Sequence, residues 1–98
     1  MPKGGPNARE FGENLAIQAL GFLAMEPERL GRFLSLAGIG PEAIRAAAAD
    51  PAFLAGVLDH VASDEVLLLA VAEHAGVKPD TVMRAHAALN GRWERDVP

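Results

Sequence analysis

The chain has 98 residues, a net charge of −4 and no cysteine, and half of its residues are apolar. This length suffices for one hydrophobic core and is short for two. The lack of cysteine excludes disulfides and thiolate metal sites and is compatible with a reducing compartment. No apolar stretch approaches the roughly 20 residues of a membrane span, and acidic residues precede the stretch at Leu15 where a signal peptide needs positive charge. We therefore expect one soluble, cytoplasmic domain.

Proline and glycine divide the chain into predicted helices. Proline is tolerated in the first turn of a helix, and glycine accommodates the left-handed residue that commonly ends one. Apolar patterns with helical spacing are bounded by such residues: Pro27, Pro41, Pro51, Pro79, Gly38, Gly76 and Gly91. Asp50, and either Ser63 or Asp64, are expected to cap helices through their side-chain oxygens. The sequence predicts six helices, over residues 8–25, 27–37, 41–49, 51–62, 64–75 and 79–90.

These helices predict an all-α fold, a compact bundle of five to six short helices. The domain is expected to cover residues 8–93, between a disordered N-terminal tail over 1–7 and a C-terminal tail over 94–98. The segment 66–72 (VLLLAVA) is apolar on almost every side, and such a helix is usually buried. We therefore expect the helix over 64–75 to lie at the centre of the core.

An internal similarity at an offset of 38 residues relates residues 22–49 to residues 60–87. Its strongest part is a helix corner, in which AGIGPE around Gly38 recurs as AGVKPD around Gly76. Glycine ends one helix, a β-branched residue packs under the corner, and proline begins the next helix. Two explanations stay open: two pseudo-repeated three-helix units, or independent use of the same corner.

The second copy of this corner also resembles a DNA-binding motif. Residues 71–84 (VAEHAGVKPDTVMR) resemble the helix-turn-helix of the Lac-repressor-like family. That resemblance implies a DNA-binding module within residues 64–92, with contacts from Lys78, Asp80, Thr81, Arg84 and Asn90. The motif lies near the wrong end of the chain for that family, and the acidic residues before it repel phosphates. An ordinary capped helix corner explains the same residues, so nucleic acid is not the expected partner.

The histidines do not form a recognisable catalytic or metal-binding pattern. His60, His74 and His86 lack the spacing of a helical metal site, so no metal or cofactor is expected. His86 falls on the apolar face of the last predicted helix, where a boundary histidine is common. Asp59 or Asp64 is placed to pair with His60, but no nucleophile accompanies such a pair. We therefore expect that the protein is not an enzyme.

Three other features suit contact with a protein. Arg29 and Arg32 share a helix face and either form a small anion or acidic-peptide site or pair locally with glutamates. Trp93, the only tryptophan, either docks back onto the core or anchors a partner. Small residues recur at every fourth position of the first helix and allow close approach of another helix, from a second copy or from the same chain: Ala8, Gly12 and Ala16.

Five segments carry a resemblance that covers most of the chain: ALGFLA at 19–24, PERLGRFL at 27–34, GIGP at 38–41, DPAFLAGVLD at 50–59 and DEVLL at 64–68. Together they resemble a family of short bacterial proteins, mostly alphaproteobacterial, catalogued as domain of unknown function three-five-seven-two. The resemblance implies a stand-alone helical domain and supplies no site residues. We predict a protein-interaction or self-association module that binds a protein partner or forms a homodimer. DNA binding through residues 64–92 is the alternative.

Overall fold

A computed structural model describes residues 4–90 of the chain, with side-chain positions from Ala8 onward. The elements are α1 (Gly4–Ala24), α2 (Pro27–Ala37), a 3-10 turn (Pro41–Ala43), α3 (Ile44–Ala47), α4 (Pro51–Ala62), α5 (Glu65–Ala75) and α6 (Pro79–Asn90). The prediction of an all-α bundle is confirmed, with helix boundaries close to those expected.

The caps explain why the boundaries were predictable. The Asp50 carboxylate accepts a hydrogen bond from the Ala52 amide at 3.0 Å, and that of Asp64 accepts one from the Leu67 amide at 3.2 Å. Each carboxylate satisfies a backbone donor that has no partner inside its helix. Ser63 instead donates its hydroxyl to the His60 carbonyl, so Asp64 is the cap of α5.

The N-terminus of α1 differs from the prediction. The helix begins at Gly4, so residues 4–7 are helical rather than part of the predicted tail. Pro6 falls in the first turn, where its missing N–H costs no helical hydrogen bond. Residues 1–3 and 91–98, which include the rest of that tail, Gly91 and the predicted C-terminal tail over 94–98, lie outside the described residues.

More of the large, fully buried side chains lie on α4 than on any other described helix, and the expected central position of α5 is wrong. Helices α1, α4 and α6 pack against one another, and α4 buries four side chains among them: Leu54, Val57, Leu58 and Val61. α5 lies at the flank and buries only part of its surface, while Val66 and Leu69 are 76% and 49% exposed. α5 is apolar on almost every side, but other helices cover only part of its surface. The apolar residues on its uncovered side are therefore exposed to solvent.

The two helix corners have the same geometry. Gly38 and Gly76 adopt left-handed conformations with φ of 78° and 73°, which glycine reaches without a Cβ penalty. The Ile39 amide bonds to the Leu34 carbonyl, and the Val77 amide, 38 residues later, to the Ala72 carbonyl. The helices that follow the corners differ, because α3 has four residues and buries none, whereas α6 buries three: Val82, Ala85 and Ala88.

The small-residue stripe on α1 lies against α6 of the same chain. A Cβ atom on Gly12 would lie 3.1 Å from Leu89 Cγ and 3.2 Å from the Ala85 carbonyl oxygen. Only glycine allows this separation of the two helices without displacement of α6. The intramolecular interpretation of the stripe is therefore the one that the structure supports.

Candidate protein-binding groove

Aromatic side chains connect α2 to α4. The Phe33 ring packs against the ring of Phe53, with centroids 5.7 Å apart, and against that of His60, with centroids 5.0 Å apart. Both contacts are tilted, the arrangement that aromatic quadrupoles favour. Because the helices meet through large side chains, grooves remain open along their junction.

The junction contains two neighbouring lobes of about 540 Å³ each, a volume within the range of ligand-binding clefts. The first lobe lies between the end of α2 and α4, whose whole length lines it. The second lies between α2 and the start of α5. The lobes form one continuous groove because three residues line both: Leu36, His60 and Ser63.

The groove contains two of the most exposed large apolar side chains in the described residues. Leu36 of α2 is 73% exposed and Val66 of α5 is 76% exposed. Both line the second lobe. A single exposed leucine is common on protein surfaces, whereas apolar side chains that share one concave surface more often mark a contact site.

The two predicted arginines line the second lobe but have different surroundings. Arg29 lies 3.6 Å from a carboxylate oxygen of Glu26 and its guanidinium lies over the Phe22 ring at 5.4 Å. Arg32 is exposed and has no ion-pair partner among the described residues. Asp64 and Glu65 line the α5 wall of the same lobe. The lobe therefore has a basic wall on α2 and an acidic wall on α5.

His60 lies where both lobes meet. Burial lowers the pKa of His60, and the positive charge of Arg32 lowers it further, while Asp64 and Asp59 oppose the shift. The neutral imidazole is thus favoured in the folded protein. In the unfolded chain the histidine binds its proton at a higher pH, near 6.5.

We expect the protein to become less stable as the pH falls through the range just below 6.5. The unfolded state binds more protons there, so the free energy of unfolding decreases as His60 of the unfolded chain titrates. Urea denaturation at pH 7.5 and pH 5.5 measures the difference. A His60→Phe variant keeps an aromatic ring against Phe33 and should show a smaller difference, and an equal difference in both proteins would contradict this assignment.

Asp59 pairs with a histidine other than the predicted one. The His86 Nε2 atom lies 3.1 Å from Asp59 Oδ1, which connects α6 to α4, whereas Asp59 and His60 are adjacent on α4 and point about 100° apart. The Asp59–His60 pair is therefore wrong, and the boundary position of His86 agrees with its half-buried side chain. No sequence signal identifies a pair separated by 27 positions.

The residues predicted for DNA contact have local partners or partial burial. Arg84 Nε lies 3.2 Å from Asp80 Oδ2, and the Asn90 amide donates to the His86 carbonyl at 2.7 Å. Thr81 is half-buried and Lys78 is exposed. Three of the five side chains, those of Asp80, Arg84 and Asn90, are thus engaged within α6 itself. Trp93, the third predicted partner-binding residue, lies outside the described residues.

The described residues contain no group of three or more His, Asp or Glu side chains that could hold a metal ion. In the same range, no helix has both the length and the apolar character needed to cross a membrane.

The fold and its groove define a small all-α domain with a mixed apolar and charged surface between α2 and α5. The chain belongs to the family described as "Protein of unknown function (DUF3572)", whose model matches residues 9–92. This confirms the family expected from the sequence. No curated protein and no solved structure matches the chain.

Proposed function

We propose that this protein is a protein-binding module and that the groove between α2, α4 and α5 is its binding surface. The observation that carries the proposal is the exposure of Leu36 and Val66, 73% and 76%, in one lobe. Removal of such side chains from water contributes about 1.5–3 kcal/mol each when burial is complete. This free energy becomes available when a partner covers the lobe, and it does not contribute to the stability of the isolated chain.

The polar surroundings of the lobe also suit a protein partner. Protein interfaces combine an apolar centre with a polar rim that fixes orientation. Here the rim is provided by Arg32 on one wall and by Asp64 and Glu65 on the other. Charges of both signs favour a partner with both signs over a uniformly charged polymer such as DNA.

The helix-turn-helix alternative over residues 64–92 has weaker support. DNA binding requires several cations that neutralise phosphates. In this region Asp80 lies against Arg84, and α5 contributes two further carboxylates, Glu65 and Glu73. Our proposal further includes a cytoplasmic location and a role without catalysis, as expected from the sequence.

Site-specific photo-cross-linking in the cells that make the protein tests the proposal. A benzophenone amino acid replaces Leu36 or Val66 in turn, and Ile17 of α1, 47% exposed, is the matched position outside the groove. We expect a discrete protein adduct from positions 36 and 66 and none from position 17. Excess unlabelled protein should compete for the adduct, whereas excess Leu36→Asp variant should not.

Two results would overturn the proposal. One is the absence of any protein adduct from both groove positions. The other is the same adduct from position 17, or equal competition by the Leu36→Asp variant, since either would show that the contact does not depend on the groove. Circular dichroism of each variant establishes that it is folded as the wild type is.

A further inference from the structure

The two walls of the second lobe carry residues of complementary type. Its α2 wall presents Leu36 and Arg32, and its α5 wall presents Val66 and Glu65. A rotation of 180° about an axis through the lobe places the α2 wall of one molecule on the α5 wall of another. Each of the two equivalent contacts then joins a wall that holds Leu36 and Arg32 to a wall that holds Val66 and Glu65.

We propose that the occupant of the second lobe is a second copy of this chain, related to the first by a two-fold axis. This inference rests on the proposed function and names its partner. Closed two-fold pairs use the same patch on both subunits, so each contact occurs twice. The patch on each subunit must then contain both residues of every complementary pair. The two walls of this lobe together contain apolar residues for one another and charges of both signs.

Arg32 and Glu65 are the charges expected to decide the pairing. Both are exposed, and neither has an ion-pair partner among the described residues. Arg29 is less available because it contacts Glu26 and the Phe22 ring. Asp64 is less available because its carboxylate caps α5. Substitution of Arg32 or Glu65 therefore changes the surface charge without removing a contact that holds the fold.

Exchange of the two charges gives a specific test by sedimentation equilibrium of the 98-residue chain. The variants Arg32→Glu and Glu65→Arg each place like charges together at both contacts of a homodimer. We expect each variant alone to associate at least about tenfold more weakly than the wild type. In an equimolar mixture of the two variants, every contact again joins opposite charges. The mixture should therefore form heterodimers with close to wild-type affinity.

Matched variants on α1 control for net charge. Arg9→Glu and Glu10→Arg make the same charge changes at exposed positions outside the groove, and they should associate as the wild type does. A wild-type protein that stays monomeric at about 100 μM, an affinity range typical of weak pairs, overturns the inference. So does a mixture of the charge-exchanged variants that fails to recover association.

The two proposals can fail separately. A monomeric protein that still forms a groove-dependent adduct with a different protein in cells retains the proposed function and loses the self-pairing. Loss of the groove-dependent adduct overturns both. Thermal melts of each charge variant show whether a change in association comes from unfolding.

Discussion

Leu58→Ala is expected to lower the free energy of unfolding by about 2–5 kcal/mol, one of the two largest effects that we predict. Leu58 has no exposed surface and lies on α4, which packs against both α1 and α6. Truncation removes its buried methyl groups and leaves a cavity that three helices cannot all close. For a domain of this size the loss is a large fraction of the total stability.

Urea denaturation followed by circular dichroism measures this loss. Leu69→Ala is the matched control, since Leu69 belongs to the apolar segment of α5 but is 49% exposed. We expect it to cost less than about 1 kcal/mol, because exposed substitutions rarely have large effects. Equal costs at the two positions would contradict the placement of the core centre at α4.

Gly12→Leu is expected to destabilise the protein by about 1–3 kcal/mol through overpacking. The first added carbon already meets Leu89 and the Ala85 carbonyl oxygen at 3.1–3.2 Å. A leucine has three further carbons, and α6 must move away from α1 to accommodate them. Since α6 also packs against α4, that movement disturbs the contact between α6 and α4 as well as the contact between α6 and α1.

The same substitution at Gly21 is the control for Gly12→Leu. A Cβ atom on Gly21 meets nothing within 4 Å, and leucine favours the interior of a helix over glycine by about 0.5–1 kcal/mol. Gly21→Leu should therefore raise the melting temperature while Gly12→Leu lowers it. A decrease of similar size for both variants would indicate a general effect of leucine on α1 rather than a close contact with α6.

The helix boundaries were predictable because they depend on local chemistry. Asp50 and Asp64 act within three residues of their positions, and Gly38 and Gly76 end their helices through hydrogen bonds to the preceding turn. A single sequence contains all of this information. The start of α1 was predicted less well, because the first turn of a helix has few internal hydrogen bonds to define it.

The centre of the core was not predictable in the same way. The segment 66–72 is more uniformly apolar than α4, yet Val66 and Leu69 are exposed while Val57 and Leu58 are fully buried. Burial depends on which helices surround a residue, and that is decided by packing between distant parts of the chain. Hydrophobic periodicity describes the face of a helix and not the number of its neighbours.

The sequence indicated two residues that line the candidate groove but not the groove itself. The spacing of Arg29 and Arg32 places both on one helix face, and both line the second lobe. Leu36 lies one turn further along the same helix face as Arg32, which is consistent with the helical repeat. Val66 was expected in the core, so its place in the groove was missed. Its contribution depends on the placement of α2 and α5 on the two sides of one lobe, which no local pattern contains.

The aromatic contacts between α2 and α4 have a consequence for the thermodynamics of association. The rings of Phe33, Phe53 and His60 lie between the two helices, and the groove beside them is formed by the folded chain itself. Its walls are helices rather than loops, and their backbone order has already been established by folding. A partner of the proposed kind would meet a preorganised surface and lose mainly side-chain entropy, about 0.5–1.5 kcal/mol for each long side chain that is immobilised. Such a surface permits weak, rapidly reversible association without coupled folding.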